Sequence, residues 1–184
     1  MDSTKKIALI FSLSWIIIKL VVFNLGYSVE LFTVTAMVNL LFLLLVIFFT
    51  LHFRRQKGFN HEKVEFLSDL KEAMKAGSIY TIIFAGFILV YFSAIDPNFA
   101  VNRMQMQGII APENIDFDAL KEQNPLKLKD LSKEDFLLRE AETRALFASP
   151  LLVSTIFLAG MMLISLFYSF LTVIFYRKVL SKLR

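Results

Sequence analysis

The chain contains no cysteine, which excludes disulfides and thiolate metal sites. Histidine is almost as scarce, with only His52 and His61 present. His61 and Glu65 have i,i+4 spacing, but no two further ligands accompany them, and neither histidine has a candidate nucleophile beside it. Six glycines are scattered singly, so a glycine-rich phosphate loop is missing. The long apolar runs lack acidic residues, although carriers of ions and protons ordinarily keep carboxylates there. No basic stripe with stacking aromatics lies outside those runs, which argues against nucleic acid as a partner. The acidic pairs Asp116/Asp118 and Glu134-Asp135 read as solvated helix starts. No catalytic residue, metal ligand or cofactor is expected.

What the chain does have is apolar surface. Hydrophobic residues make up 57% of its 184 positions, twenty of them Phe, which is too apolar for disorder and unusual for a soluble domain. Four segments approach or exceed the roughly 20 residues needed to cross a bilayer. They run from Ile7 to about Phe23, Leu31 to Phe53, about Gly77 to Ile95, and Leu151 to Tyr176. Apolar residues occur all round these segments, whereas soluble helices would show polar faces at the 3.6-residue period. Strands of a membrane barrel would be about 10 residues long and alternating, which these are not. The expected fold class is all-α: a polytopic membrane protein of one domain, residues 1–184, with four transmembrane helices, an external helical loop and an interfacial cytoplasmic helix.

Lys5 and Lys6 before the first segment, and Gly26-Tyr27-Ser28 after it, resemble parts of a secretory signal. Lys19 interrupts the apolar run and the small-residue site lies well beyond it, so a retained helix is the expectation. Charge then orients the bundle. Lys5 and Lys6, the group Arg54, Arg55 and Lys57 with Lys71 and Lys75, and the closing Arg177, Lys178, Lys182 and Arg184 all fall on one side of four spans. The positive-inside rule makes that side cytoplasmic. Basic residues at these ends also meet the lipid bilayer's anionic headgroups, so the net charge of +4 needs no nucleic acid.

Two stretches outside the spans have organisation of their own. In residues 60–76, Asn60 suits a helix start and Val64, Leu67, Leu70 and Met74 recur at helical spacing, with Glu62, Glu65, Asp69 and Glu72 opposite. The pattern predicts an amphipathic helix on the inner membrane face, either packed on its own bundle or docking a partner. The loop 96–149 is too long for a mere link. Pro97 ends the third span. Asp116 or Asp118 starts a short helix before Asn124-Pro125, and Ser132 with Asp135 resembles a capping box for a second. Asp135–Arg139 and Glu140–Arg144 are i,i+4 pairs on that helix. Ser149-Pro150 suits the start of the fourth span.

Lys19 is the sole charge inside a span. It lies roughly 7 Å along the helix axis from Asn24, close enough for its stem to snorkel to the outer interface. Pairing with a partner or headgroup, or a role in a pathway, are the alternatives. Ser165, Ser169 and Thr172 share one face of the fourth span and are read chiefly as a packing face, with a polar path as the rival.

Lys75-Ala76-Gly77 before the third span, Asp96-Pro97 at its end, and Ser149-Pro150 opening a last span that ends in basic residues are short motifs in a fixed order. With them the chain resembles the bacterial membrane proteins grouped as Domain of Unknown Function 4199. The resemblance implies four spans in a bacterial inner membrane; with the orientation set by charge, both termini are expected to be cytoplasmic and the loop 96–149 periplasmic. It also implies a membrane-associated protein partner, with glycosyltransferases as candidates, and supplies no catalytic residue. The expected function is a non-enzymatic accessory or scaffold subunit, with a protein handling lipid-linked sugars as a candidate partner. The alternative is a small carrier or channel-like protein working as a homo-oligomer.

Overall fold

The computed structural model describes residues 3–56, 66–106, 116–123 and 131–178. Four long helices carry the fold, and each is apolar and long enough to cross a membrane: α1 (Ser3–Asn24), α2 (Phe32–Gln56), α3 (Phe66–Val90, continued by one π turn over Tyr91–Ile95) and α7 (Pro150–Lys178). Among the described residues, three shorter helices, α4 (Phe99–Met106), α5 (Phe117–Gln123) and α6 (Lys133–Ala148), lie in the connection between α3 and α7. α4 and α6 lie at one end of the bundle, its cap end.

α1 shows how little polarity such a helix needs in order to choose its inner face. Thr4, Ala8, Ser12, Trp15 and Lys19 are buried, at steps of three and four residues, while Ile10, Leu13, Ile17 and Val21 between them are exposed. In lipid, apolar side chains gain little by turning inward, so small and hydrogen-bonding residues take the contact face. The Trp15 Nε1–H donates to the Thr35 carbonyl at 3.0 Å, tying α1 to α2. The α1–α2 turn closes with Tyr27 N–H on the Val22 carbonyl (3.1 Å) and Gly26 N–H on the Phe23 carbonyl (2.9 Å). This double bond pattern requires a left-handed residue, and Gly26 supplies it at φ +80°.

α3 is the central helix, packed on α1 and α2 and most extensively on α7. It packs tightly on α7 at Gly77, where a methyl group would overlap Ser165 Oγ and lie 3.4 Å from Ile47 Cδ1. Farther toward the cap end, Tyr80 Oη donates to Asn39 Oδ1 (2.6 Å) and Asn39 Nδ2 contacts Met161 Sδ (3.5 Å), joining α3, α2 and α7. These polar links fix the register of faces whose apolar surfaces alone would slide.

The segment before the third span departs from expectation. Of the interfacial helix expected over 60–76, residues 60–65 lie outside the described residues, and 66–76 are the first turns of α3 itself, without a break. Two positions depart from the predicted faces: Asp69, placed on the outer polar side, is 1% exposed, and Leu67, placed on the apolar side, is 70% exposed, while Leu70, Met74 and Glu72 are half-buried. The reason is electrostatic. Arg55 and Arg177 reach Asp69 Oδ2 at 2.9 and 3.2 Å, and Arg54 lies 3.8 Å from Oδ1, so three cations from α2 and α7 draw the carboxylate inward.

At the cap end, Asp96 N–H bonds the Tyr91 carbonyl at 2.8 Å, the i→i−5 bond that makes the last turn of α3 a π turn. Asp116 Oδ1 accepts from Ala119 N–H (3.2 Å) at the start of α5, as expected. Ser132 caps α6 by accepting from Asp135 N–H at 3.1 Å. The Asp135 carboxylate takes the Ser132 hydroxyl at 2.7 Å in place of the expected Arg139, while Glu140 meets Arg144 at 3.4 Å as expected.

Candidate functional site at the cap end of the bundle

The buried stripe of α1 ends at Lys19, which is 2% exposed. Its ammonium does point toward the cap end, as a snorkelling lysine would, but it does not emerge. Nζ sits 4.8 Å from the centre of the Tyr91 ring and 4.9 Å from that of Phe99. Phe99 opens α4 and is itself buried, so the first turn of the cap closes over the ammonium. Two aromatic faces partly replace its hydration, at up to about 2 kcal/mol for a desolvated cation–π pair. Nζ has no hydrogen-bond acceptor among the described residues.

The π turn explains why Tyr91 is there. By widening the helix just before Asp96-Pro97, it brings Tyr91 Oη within 3.2 Å of Asp96 Oδ2 and within 2.9 Å of Ser28 Oγ. A phenol has a single proton, so with Tyr91 donating to Asp96 the Ser28 hydroxyl donates to Tyr91. The α1–α2 turn, the end of α3 and the start of α4 are thereby held around one buried ring.

Beside Lys19 lie two adjoining cavities. The deeper, of about 320 Å³, lies between α2 and α7 in the cap-end half of the bundle, and its walls include Trp15, Lys19, Asn39 and Gly160. The outer, of about 300 Å³, lies under the cap and includes Arg103 and Phe147. Phe32, Phe92 and Phe157 line both. Arg103 stacks on Phe32, its Cζ 3.8 Å from the ring centre. Partial burial lowers its pKa, but a guanidinium remains charged.

Ser165, Ser169 and Thr172 are buried together on the inner side of α7, and none of them lines these two cavities. Ser165 is pressed against Gly77. The four candidate residues therefore do not form one site: Lys19 belongs to the cap end, and the hydroxyl face to helix packing.

Sequence reasoning missed the Asp69 cluster at the opposite end. By sequence alone Arg54, Arg55 and Arg177 are orienting charges and Asp69 a surface acid. The available signal is an acidic residue in the first turn of a span, facing two other spans that end in arginine. Nearby, His52 Nδ1 meets Tyr176 Oη at 3.0 Å and Gln56 Nε2 meets His52 Nε2 at 2.9 Å, which places this histidine in a structural link between α2 and α7. His61 lies outside the described residues.

These features define a class: a polytopic membrane helical bundle, with a small helical cap over one end and a buried cation beneath it. Compared with known proteins, the chain matches no family model, no curated protein and no solved structure.

Proposed function

We propose that this protein is a non-enzymatic accessory or scaffold subunit that holds another membrane-associated protein at the bilayer surface. The observation that carries the reading is α6. This sixteen-residue helix has no buried residue, and it exposes Leu138 and Leu146, about two turns apart, outside the spans. A capped helix with an uncovered apolar side suits a helix-in-groove contact, with the bundle as its anchor. The positive-inside rule supports cytoplasmic termini with α6 on the opposite side, and the family resemblance supports a bacterial inner membrane, which makes that side the periplasm. The resemblance to Domain of Unknown Function 4199 adds membrane-associated glycosyltransferases as candidate partners.

A photo-crosslinking residue at Leu138 or Leu146, followed by mild-detergent purification from native membranes, tests this directly. The reading expects one stoichiometric partner, crosslinked from these positions and lost in Leu138→Asp. A protein that purifies alone, with no crosslink from either position, overturns it.

A carrier is the second reading, and the buried Lys19 favours it, because intramembrane cations often mark a pathway. Against it stands the packed state of Ser165, Ser169 and Thr172, the face that a polar path would use. Substrate flux that Lys19→Leu abolishes would establish the carrier.

A further inference from the structure

The cavity between α2 and α7 has a feature that packing does not require: Lys19 lines it, and the ammonium of this lysine is buried with no hydrogen-bond acceptor among the described residues. Its rim includes Gly160, which is exposed and where a methyl group would meet nothing within 4 Å, and Ile156, which is 54% exposed. The mouth therefore opens sideways between the two spans, toward the bilayer. Past the shared ring of Phe32, the groove continues to the outer cavity and Arg103. Among the described residues, neither cavity has an acidic side chain in its walls. The carboxylate electrostatically coupled to Lys19 is Asp96. It is engaged by the Tyr91 hydroxyl, and it lines a different pocket with Ser28 and Asn102.

We propose that this groove binds one anionic phospholipid. An acyl chain fills the cavity beside Trp15, the phosphate sits at the Arg103 mouth, and Lys19 serves as the second cation. Each cavity lies at the lower end of the roughly 300–1,000 Å³ typical of small-molecule sites, and the walls are almost wholly apolar apart from Lys19, Thr35, Asn39 and Arg103. Charge decides the occupant. A neighbouring span would present an uncharged face to Lys19, because charged groups are rare at that depth. A phospholipid supplies acyl chains for the walls and an anion for the two cations in one molecule. Neither Leu138 nor Leu146 lines the groove, so its failure leaves the partner reading standing.

The chain carries a single tryptophan, Trp15, and it lines the deeper cavity. The full-length protein is reconstituted in phosphatidylcholine vesicles containing a small, equal fraction of brominated-chain phosphatidylglycerol or brominated-chain phosphatidylcholine. Tryptophan quenching is then followed against bromolipid fraction. The phosphatidylglycerol form is expected to reach half-maximal quenching at a fraction about five-fold lower, the preference one Lys or Arg near a membrane surface confers. Lys19→Met, which keeps the volume, and Arg103→Gln, at the accessible mouth, should each reduce that preference toward equality. General attraction of anionic lipid to the protein surface would survive Lys19→Met, because Lys19 is not at the surface. Equal quenching by the two lipids in the wild type, or a preference that both variants retain, overturns the proposal.

Discussion

Replacing Asp69 by alanine should loosen the end of the bundle opposite the cap. The carboxylate is 1% exposed and accepts two charge-assisted hydrogen bonds, from Arg55 at 2.9 Å and Arg177 at 3.2 Å, with Arg54 3.8 Å away. It also lies in the first turn of α3, where the helix dipole favours a negative charge. Hydrogen bonds to charged groups contribute roughly 1.5–3 kcal/mol each, and breaking a buried ion pair costs about 3–5 kcal/mol. The arginine side chains are 19%, 20% and 32% exposed, so water can recover part of their charge, and the lower end applies: about 3 kcal/mol. For a chain of this size each kcal/mol moves the melting temperature by roughly 2–4 °C, which gives a fall of roughly 6–12 °C. Thermal unfolding in a mild detergent reads this directly. Arg55→Leu in the Asp69→Ala background should cost far less than Arg55→Leu alone, because the partner is already gone. A fall under about 2 °C for Asp69→Ala, or strict additivity of the two changes, would refute the clamp.

Gly77→Ala should destabilise by about 1–3 kcal/mol through overpacking against Ser165, and Ser165→Ala in the same chain should recover part of that loss in the same melting assay. Gly26→Ala should cost about 1 kcal/mol, since alanine must adopt φ +80° to keep both turn bonds, and α1–α2 turn amides should exchange faster with deuterium. Ser132→Ala should remove the α6 cap at a local cost of about 1 kcal/mol, visible as faster exchange in 133–136 with the melting temperature of the bundle unchanged. The absence of native cysteine makes sidedness simple to read. Ser132→Cys should react in intact cells with a membrane-impermeant maleimide, and Gln56→Cys only after permeabilisation; the reverse pattern would invert the proposed orientation.

Lys19 and Asp69 show where reading the sequence stops. Both were visible as charges near an apolar run, and for each the expected environment was water: an interface for Lys19, a solvated helix face for Asp69. Helical spacing gave the right period in residues 66–76, but it could not tell which side faced the core. That side was chosen by Arg54, Arg55 and Arg177, which lie far off in sequence on two other helices. Lys19 was likewise closed in by Phe99, eighty residues later. Local signals fared better where the physics is local. The Ser132 cap, the Asp116 start of α5 and the Glu140–Arg144 pair all follow from side chains within four residues of each other.

The sequence by itself determined the four apolar helices, their order and the starts of α5 and α6, because hydrophobic length and capping depend on neighbours in the chain. Only the tertiary structure decided which face of each span turns inward, that Gly77 meets Ser165, and that a lysine and an aspartate at opposite ends of the bundle are buried. In lipid the apolar residues are nearly indifferent to facing in or out, so that choice rests on a few small and polar side chains whose partners lie on other helices.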